Sequence, residues 1–167
     1  MCIRDRISQG AILTWCTLDH AATAARHVAI GAHNAGRSPD DVEVTSLLPC
    51  AVSDNREEAR DLMRQPIASY AGRFPRYRRL MVDAGFPDEL EQVKIAWQSG
   101  NTQEALNLVP GALIDKIGLV GTVDEVREKL SEYRKAGITL PIVSPRFIGD
   151  GAKEQALKII RACAPSQ

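Results

Sequence analysis

Residues 118–145 read GLVGTVDEVREKLSEYRKAGITLPIVSP and carry the clearest secondary-structure pattern in the chain. Thr122 and Glu125 stand three residues apart, the spacing of a capping box that begins a helix. The apolar residues that follow at helical spacing are Val126, Leu130 and Tyr133. Gly137 predicts the end of this helix, and residues 138–143 predict a strand. A helix that leads at once into a buried strand is typical of an α/β protein.

The same alternation of strands and helices continues on both sides of this stretch. Segments 11–16 and 42–50 are short and apolar and predict two buried strands, while residues 118–121 predict a weaker one. A helix follows the first strand, and a final helix is predicted over 152–164. Residues 74–117 predict several short helical pieces in place of a single helix. Alternating elements of this kind indicate a parallel sheet covered by helices.

The helix predicted after the second strand has its own start and interruption signals. Asp54 and Glu57 have the spacing of a capping box, so they predict its first turn. Pro66 is predicted to kink or divide it. Thr102 predicts the start of one of the later helical pieces.

Composition and charge exclude several classes of protein. The 167 residues are 44% hydrophobic and 25% charged, with 21 basic and 21 acidic side chains, so no strong field favours nucleic acid or an anionic membrane. No apolar run is long enough for a membrane span. The cysteines form no CxxC pair and the histidines lack metal-ligand spacing, so we expect no metal site and a reduced, cytoplasmic setting.

The number of strands predicts an incomplete fold. A β/α barrel needs eight strands and typically about 250 residues, and an open parallel sheet this small would leave its edges unpaired. We therefore predict an α/β fold that is part of a (β/α)8 TIM barrel, comprising the last three or four β/α units with a helical insertion. Residues 1–8 read as an artefactual or frayed leader and residues 9–167 as the C-terminal part of the barrel. The alternative is a non-catalytic α/β module whose open edges pair with a partner chain.

Three motifs, in order, resemble the bacterial luciferase-like family of flavin- and deazaflavin-dependent oxidoreductases. GAILTWCTLDHAATAARHVAIGAHNAGRSPDDVEV, residues 10–44, is similar to a late barrel strand and helix of that family. The stretch 118–145 is similar to its C-terminal signature. YAGRFPRYRRLMVDAGF, residues 70–86, most resembles the branch that uses coenzyme F-420. The resemblance covers about residues 9 to 163, and the order and spacing of the motifs are more specific than any one of them.

The resemblance implies an enzyme that uses coenzyme F-420 or FMN for hydride transfer or oxygenation of a small organic substrate. The family's early strands and its glycine-rich phosphate-binding loop precede the region that this chain matches, so the chain alone is expected to be inactive. The implied partners are the coenzyme and a small-molecule substrate, and a homo-oligomer is possible for a full-length protein. No nucleic acid or membrane partner is expected.

Candidate site residues lie where strands end, since chemistry in β/α barrels gathers at the carboxyl ends of strands. Thr14 and Trp15 end the first strand and Arg146 follows the last, and all three are predicted to bind the coenzyme. Trp15 could instead be a core residue, and Arg146 a solvated surface residue. Cys50 is interpreted as a buried structural cysteine. A group of four arginines and one tyrosine in the insertion forms either a lid over an anionic coenzyme or a solvated helix face: Arg73, Arg76, Tyr77, Arg78 and Arg79.

Overall fold

A computed structural model describes residues 8–147 and 151–164, so nearly all of the predicted leader lies outside the described residues. None of the helices it describes is long and apolar enough to cross a membrane. The strands are β1 (Gly10–Thr14), β2 (Glu43–Val52), β3 (Leu119–Gly121) and β4 (Leu140–Pro145). The helices are α1 (Leu18–His33), α2 (Arg56–Arg73), α3 (Pro75–Asp83), α4 (Pro87–Gln98), α5 (Thr102–Asn107), α6 (Gly111–Ile117), α7 (Val123–Lys135) and α8 (Ala152–Cys163), and a 3-10 turn spans Pro39–Asp41.

Strand β2 is the centre of a four-stranded sheet in which every pairing is parallel. Thr45 pairs with Ile12 of β1 and with Leu140 of β4, so β1 and β4 lie on opposite sides of β2. Cys50 pairs with Leu119 of β3 on one side and with Pro145 of β4 on the other. Strand β3 therefore lies on the same side of β2 as β1, beyond the end of β1. The predicted parallel sheet is confirmed. The strand predicted at 118–121 is β3, a short strand that pairs with the last three residues of β2. Three strand–helix units follow one another along the chain, and they begin with β1, β2 and β4.

Strand ends differ from the sequence predictions by a few residues. β1 ends at Thr14, two residues before the predicted end, because Trp15 turns the chain with a φ of 50°. β2 does not stop near Pro49 but continues to Val52. A proline removes only one ladder donor, and the ladder resumes where Cys50 O accepts from Arg146 N at 2.7 Å. β4 begins at Leu140, two residues later than predicted.

Three helix predictions differ in detail from the structure. The cap of α2 is Asn55 and not Asp54, and the Asn55 side chain accepts from Glu57 N at 3.0 Å. Pro66 does not divide α2, which is one helix from Arg56 to Arg73. One missing N–H is tolerated here because the helix buries a continuous apolar face. Thr102 follows the cap residue Asn101 and is not itself the cap. The capping box of Thr122 and Glu125 is confirmed.

One face of the sheet is covered by helices α1, α7 and α8. Its strand residues alternate along the chain and include Ala11, Val44, Leu48 and Cys50, each at most 5% exposed. The helices contribute Val28, Leu130, Tyr133 and Ile159 to the same core. The Tyr133 hydroxyl donates to Cys16 O at 2.7 Å, which satisfies a buried carbonyl and ties α7 to the end of β1.

The opposite sheet face is apolar and exposed, and we call it the open face. Successive side chains of a strand point to opposite faces, so the residues between those of the helix-covered face lie here. Ile12 is 70% exposed, Leu140 47%, Ile142 40% and Leu47 39%. Four large apolar side chains at this exposure show that no described element covers this part of the face, whereas Ala51 at the end of β2 is buried in the core of the insertion.

The insertion between β2 and α7 forms a second core of its own. Helices α2 to α6 bury apolar residues against one another, and Trp15, Ala51 and Val120 join them from the ends of β1, β2 and β3. The sheet ends therefore reach into the insertion, which places the insertion beyond the carboxyl ends of these strands.

Lys129 of α7 fixes the junction between the insertion and β3. Its ammonium donates to Gly118 O at 2.7 Å and also to Asp115 O. The Asp115 carboxylate accepts from Arg60 Nε at 3.1 Å and from Arg56 Nη1 at 3.3 Å, so α2 meets the same point. Burial lowers the pKa of Lys129 to about 8, because the nearby carboxylates offset only part of the cost of burying the charge.

We expect this chain to gain stability over a Lys129→Met variant as the pH rises from about 8 to about 9.5. Lys129 has an ordinary value of 10.5 and a folded pKa of about 8. The stability that Lys129 contributes to the folded chain is therefore fully present above pH 10.5 and is lost as the pH falls through 8. The expected relative gain is about 1.5 kcal/mol. Urea unfolding of both proteins at the two pH values measures it, and the exposed Lys153→Met is the matched control. Parallel pH profiles for all three proteins would contradict the assignment.

Candidate functional site

The carboxyl ends of β1, β2 and β4 lie at one edge of the sheet because the three strands are parallel. Thr14 ends β1, Val52 ends β2, and Ser144 and Arg146 lie at the end of β4. Thr14 and Ser144 share the open face by alternation with Leu13 and Val143, which pack against the helix-covered core. Polar groups therefore border the apolar open face at this edge, the usual position of a site in β/α folds.

Trp15 directly follows β1 and is buried, with 5% of its surface exposed. Its ring centroid lies 5.2 Å from that of Tyr70, and the side chain belongs to the core of the insertion. It also has a φ of 50°, a left-handed conformation that costs a bulky residue roughly 1–3 kcal/mol. Packing in the insertion offsets that cost. This placement favours the core interpretation of Trp15, and its contact with a coenzyme stays a prediction.

A cluster of four aromatic rings extends from Trp15 to the surface of the insertion. Tyr70 lies 5.3 Å from Phe74 and 4.9 Å from Tyr77, centroid to centroid, and Phe74 and Tyr77 meet edge to face. Phe74 is 46% exposed. The cluster links the carboxyl edge of the sheet to an exposed aromatic surface.

Arg146 leaves the sheet beside β2, because its backbone N–H donates to Cys50 O. Its side-chain Nε is buried and has no hydrogen-bond partner among the described residues, the one such side-chain atom among them. A buried donor without a partner costs about 1–3 kcal/mol, more when it is charged. Arg146 is therefore not simply a solvated surface arginine, and its Nε–H can donate a hydrogen bond to an oxygen atom of a ligand at the carboxyl edge.

The basic residues of the insertion are mostly engaged within it. The Arg73 guanidinium lies 5.3 Å from the centroid of the Trp97 ring. Arg78 donates to Ala71 O at 3.0 Å, and Arg79 pairs with Asp83 at 3.0 Å. Arg76 is exposed. These contacts hold the group on the surface of the insertion, and its role as a lid over a coenzyme stays a prediction.

The three predicted coenzyme contacts do not form one contact cluster. Thr14 aligns with Leu47 of β2, whereas β4 continues three residues further, to the level of Cys50. At about 3.3 Å per residue and about 4.8 Å between strands, the ends of β1 and β4 are roughly 10 Å apart along the strands and roughly 10 Å apart across them. An elongated ligand fits such a separation better than a small one.

A cavity of about 470 Å³ also opens at the end of β2. Ser53 donates to Glu58 at 2.9 Å there, and Lys158 and Gln155 face it from α8. The sequence analysis missed Ser53, although its place directly after a strand was a usable signal. A larger cavity of about 670 Å³, between the start of α1 and helices α6 and α7, is lined partly by the charged groups that fix the insertion. No group of three or more metal-ligating side chains occurs within residues 8–147 and 151–164.

Comparison with known proteins finds relatives that are named as enzymes dependent on coenzyme F-420 or as reductases. A protein of Mycobacterium tuberculosis, Rv3520c, whose name assigns it provisionally to the coenzyme F-420-dependent oxidoreductases, is 27% identical over 119 residues, 66% of this chain and 33% of its own length. The 5,10-methylenetetrahydromethanopterin reductase of Methanopyrus kandleri is 26% identical over 132 residues, 78% of this chain and 36% of its own. The solved structure of the coenzyme F-420-dependent tetrahydromethanopterin reductase from Methanopyrus kandleri superposes with a TM-score of 0.79 at 23% identity, covering 94% of this chain and 44% of that one.

The chain thus spans a third to under a half of the length of these proteins. The structural superposition covers nearly all of this chain, so the two proteins share this part of the fold. The sequence model of the luciferase-like monooxygenase family matches residues 6 to 140, which is most of the chain. The chain therefore belongs to the luciferase-like monooxygenase family.

Proposed function

We propose that this chain supplies the last three β/α units of a luciferase-like (β/α)8 barrel in an oxidoreductase that uses coenzyme F-420 or FMN on a small organic substrate. The observation that carries the proposal is the open face, apolar across three parallel strands and bordered by polar groups at their carboxyl ends. Family membership and the F-420-dependent relatives support the same reaction class.

The open face has the character of a barrel interior. Ile12, Leu47 and Ile142 lie on it, while the other face is already packed against α1, α7 and α8. All-parallel sheets are ordinarily covered on both faces. The relatives are each a little over twice as long as this chain. We propose that further strands of such a barrel pair with β1 and β4 and enclose this face.

The residues at the carboxyl edge fit a flavin-type coenzyme. The guanidinium of Arg146 has an unused donor for a carbonyl, carboxylate or phosphate oxygen. The Thr14 hydroxyl lies on the open face at the end of β1 and can orient a polar ring edge. Trp15, which is 5% exposed, supports the site from the insertion side and reaches it with one edge at most. When bound, the coenzyme itself supplies the redox chemistry by accepting or donating a hydride equivalent.

The alternative is a non-catalytic α/β module that pairs its edges with a partner chain. The exposed edges and the open face suit both ideas, but the family match favours the enzyme. We further propose a cytoplasmic setting, because the three cysteines within the described residues are free thiols. A homo-oligomer of the full-length protein remains part of the proposal.

Replacing Arg146 tests the site. In a chimera that joins this chain to the N-terminal part of the Methanopyrus reductase, we expect Arg146→Met to weaken F-420 binding about 10- to 100-fold, the value of a hydrogen bond to a charged group. Fluorescence titration measures the affinity, and Arg161→Met, an exposed arginine of α8, is the matched control. Equal affinities for Arg146→Met and the unsubstituted chimera would remove Arg146 from the site.

A further inference from the structure

Two thiols from distant parts of the sequence meet in the core between the sheet and α8. Cys50 lies on β2 and is fully buried. Cys163 lies in the last turn of α8 and is half-buried, packed against the same core. Both are free and pack in the same core, and each is the largest influence on the pKa of the other. The third described cysteine, Cys16, is instead 3.2 Å from the Ser46 hydroxyl.

The pair is asymmetric in charge and access. The neighbouring Cys50 thiol lowers the pKa of Cys163 below its usual range, with help from Arg127 and Arg134. The same contact and burial raise the pKa of Cys50 well above its usual range. Arg127 is held beside Cys163 because its Nε donates to Ala162 O at 2.7 Å. Cys163 is therefore the more accessible and the more acidic thiol of the two, and Cys50 lies behind it in the core.

We propose that Cys163 and Cys50 form a peroxide-sensitive thiol pair that closes to a disulfide between α8 and β2. Hydrogen peroxide oxidises Cys163: its sulfur attacks one peroxide oxygen, the O–O bond breaks, and a proton converts the departing hydroxide to water. The Cys50 sulfur then attacks the sulfur of the resulting sulfenic acid. The S–O bond breaks, the Cys50 proton leaves with the hydroxyl as a second water, and the S–S bond forms.

The disulfide would join the C-terminal helix to the central strand of the sheet. Cys50 O is also the acceptor for the Arg146 backbone N–H, so the cross-link lies next to the end of β4. It would close a loop of more than about 100 residues, for which we expect Tm to rise by roughly 5–10 °C. Dithiothreitol should reverse the rise.

The test treats the purified full chain with hydrogen peroxide in a Cys2→Ser background, because Cys2 lies outside the described residues. Remaining thiols are alkylated, and peptides are identified by mass spectrometry without reduction. We expect a linked peptide of Cys50 and Cys163 and an alkylated Cys16. In Cys163→Ser, oxidation of Cys50 should slow at least 10-fold. In Cys50→Ser, Cys163 should advance to the sulfinic acid without a cross-link.

Because Cys50→Ser alters a buried position, Cys163→Ser carries the decisive comparison, with circular dichroism confirming its fold. A linked peptide that is abolished by Cys163→Ser and by dithiothreitol supports the pair. Complete alkylation of Cys163 after peroxide treatment would overturn it. So would cross-links that involve Cys16 as often as Cys50, since they would show random reaction of an unfolded chain.

Discussion

We expect the purified 167-residue chain to bind FMN and coenzyme F-420 with dissociation constants weaker than about 1 μM, or less than about 8 kcal/mol of binding. The sequence has no glycine-rich turn before a helix N-terminus, where backbone N–H groups would hold a phosphate. The open face also leaves a coenzyme exposed to water on one side. Arg146 and Thr14 alone offer few contacts.

Fluorescence titration of the chain with each coenzyme measures this directly. The chimera with the N-terminal part of the Methanopyrus reductase is the positive control and should bind F-420 at least 100-fold more tightly. Binding by the chain alone tighter than about 1 μM would show that the described residues make a complete coenzyme site.

Trp15→Ala should reduce the free energy of unfolding by about 3–5 kcal/mol, the usual cost of truncating a buried tryptophan. Trp15 is 5% exposed, and its ring lies 5.2 Å from that of Tyr70, at a tilt of 52°, within the core of the insertion. Trp97→Ala, which removes a half-buried ring packed against the same core, should cost less. Trp15→Gly should be about 1 kcal/mol more stable than Trp15→Ala, because glycine adopts the φ of 50° without strain.

Denaturant unfolding of the three variants gives these differences. The predicted coenzyme role of Trp15 is measured separately with Trp15→Phe in the chimera, since phenylalanine keeps the apolar core and removes the indole N–H. Weaker F-420 binding at unchanged stability would support a coenzyme contact. A loss of less than about 1 kcal/mol for Trp15→Ala would show that the core interpretation is wrong.

Local signals in the sequence predicted local structure well. The capping box of Thr122 and Glu125, the helix stop at Gly137 and the alternation of strands and helices are all confirmed. Each depends on neighbouring residues, whose hydrogen bonds and backbone preferences the sequence displays directly. The resemblance to the luciferase-like family was likewise visible in three motifs and is confirmed.

Features that depend on tertiary contacts were not predictable. Pro49 and Pro66 are strong breakers locally, yet β2 and α2 continue through them because packing on both sides outweighs one lost hydrogen bond. The position of β3 beyond the end of β1 depends on where the insertion returns to the sheet. The burial of Trp15 follows from the same placement. The burial of the Arg146 Nε depends on tertiary packing, and Cys50 and Cys163 share a core although they are far apart in sequence, so no spacing rule could indicate either feature.

Amide hydrogen exchange of the purified chain at low micromolar concentration, with its mass in solution recorded in parallel, tests the partial-barrel account most directly. The account predicts that the amides of β1 and β4 that point away from β2 exchange fast in a monomer, or become protected only when the chain self-associates through its open face and unpaired edges. The neutral charge balance does little to oppose such association. A sharp monomer with strongly protected amides in both edge strands would contradict the account, because it would show that these strands are already paired within a complete domain.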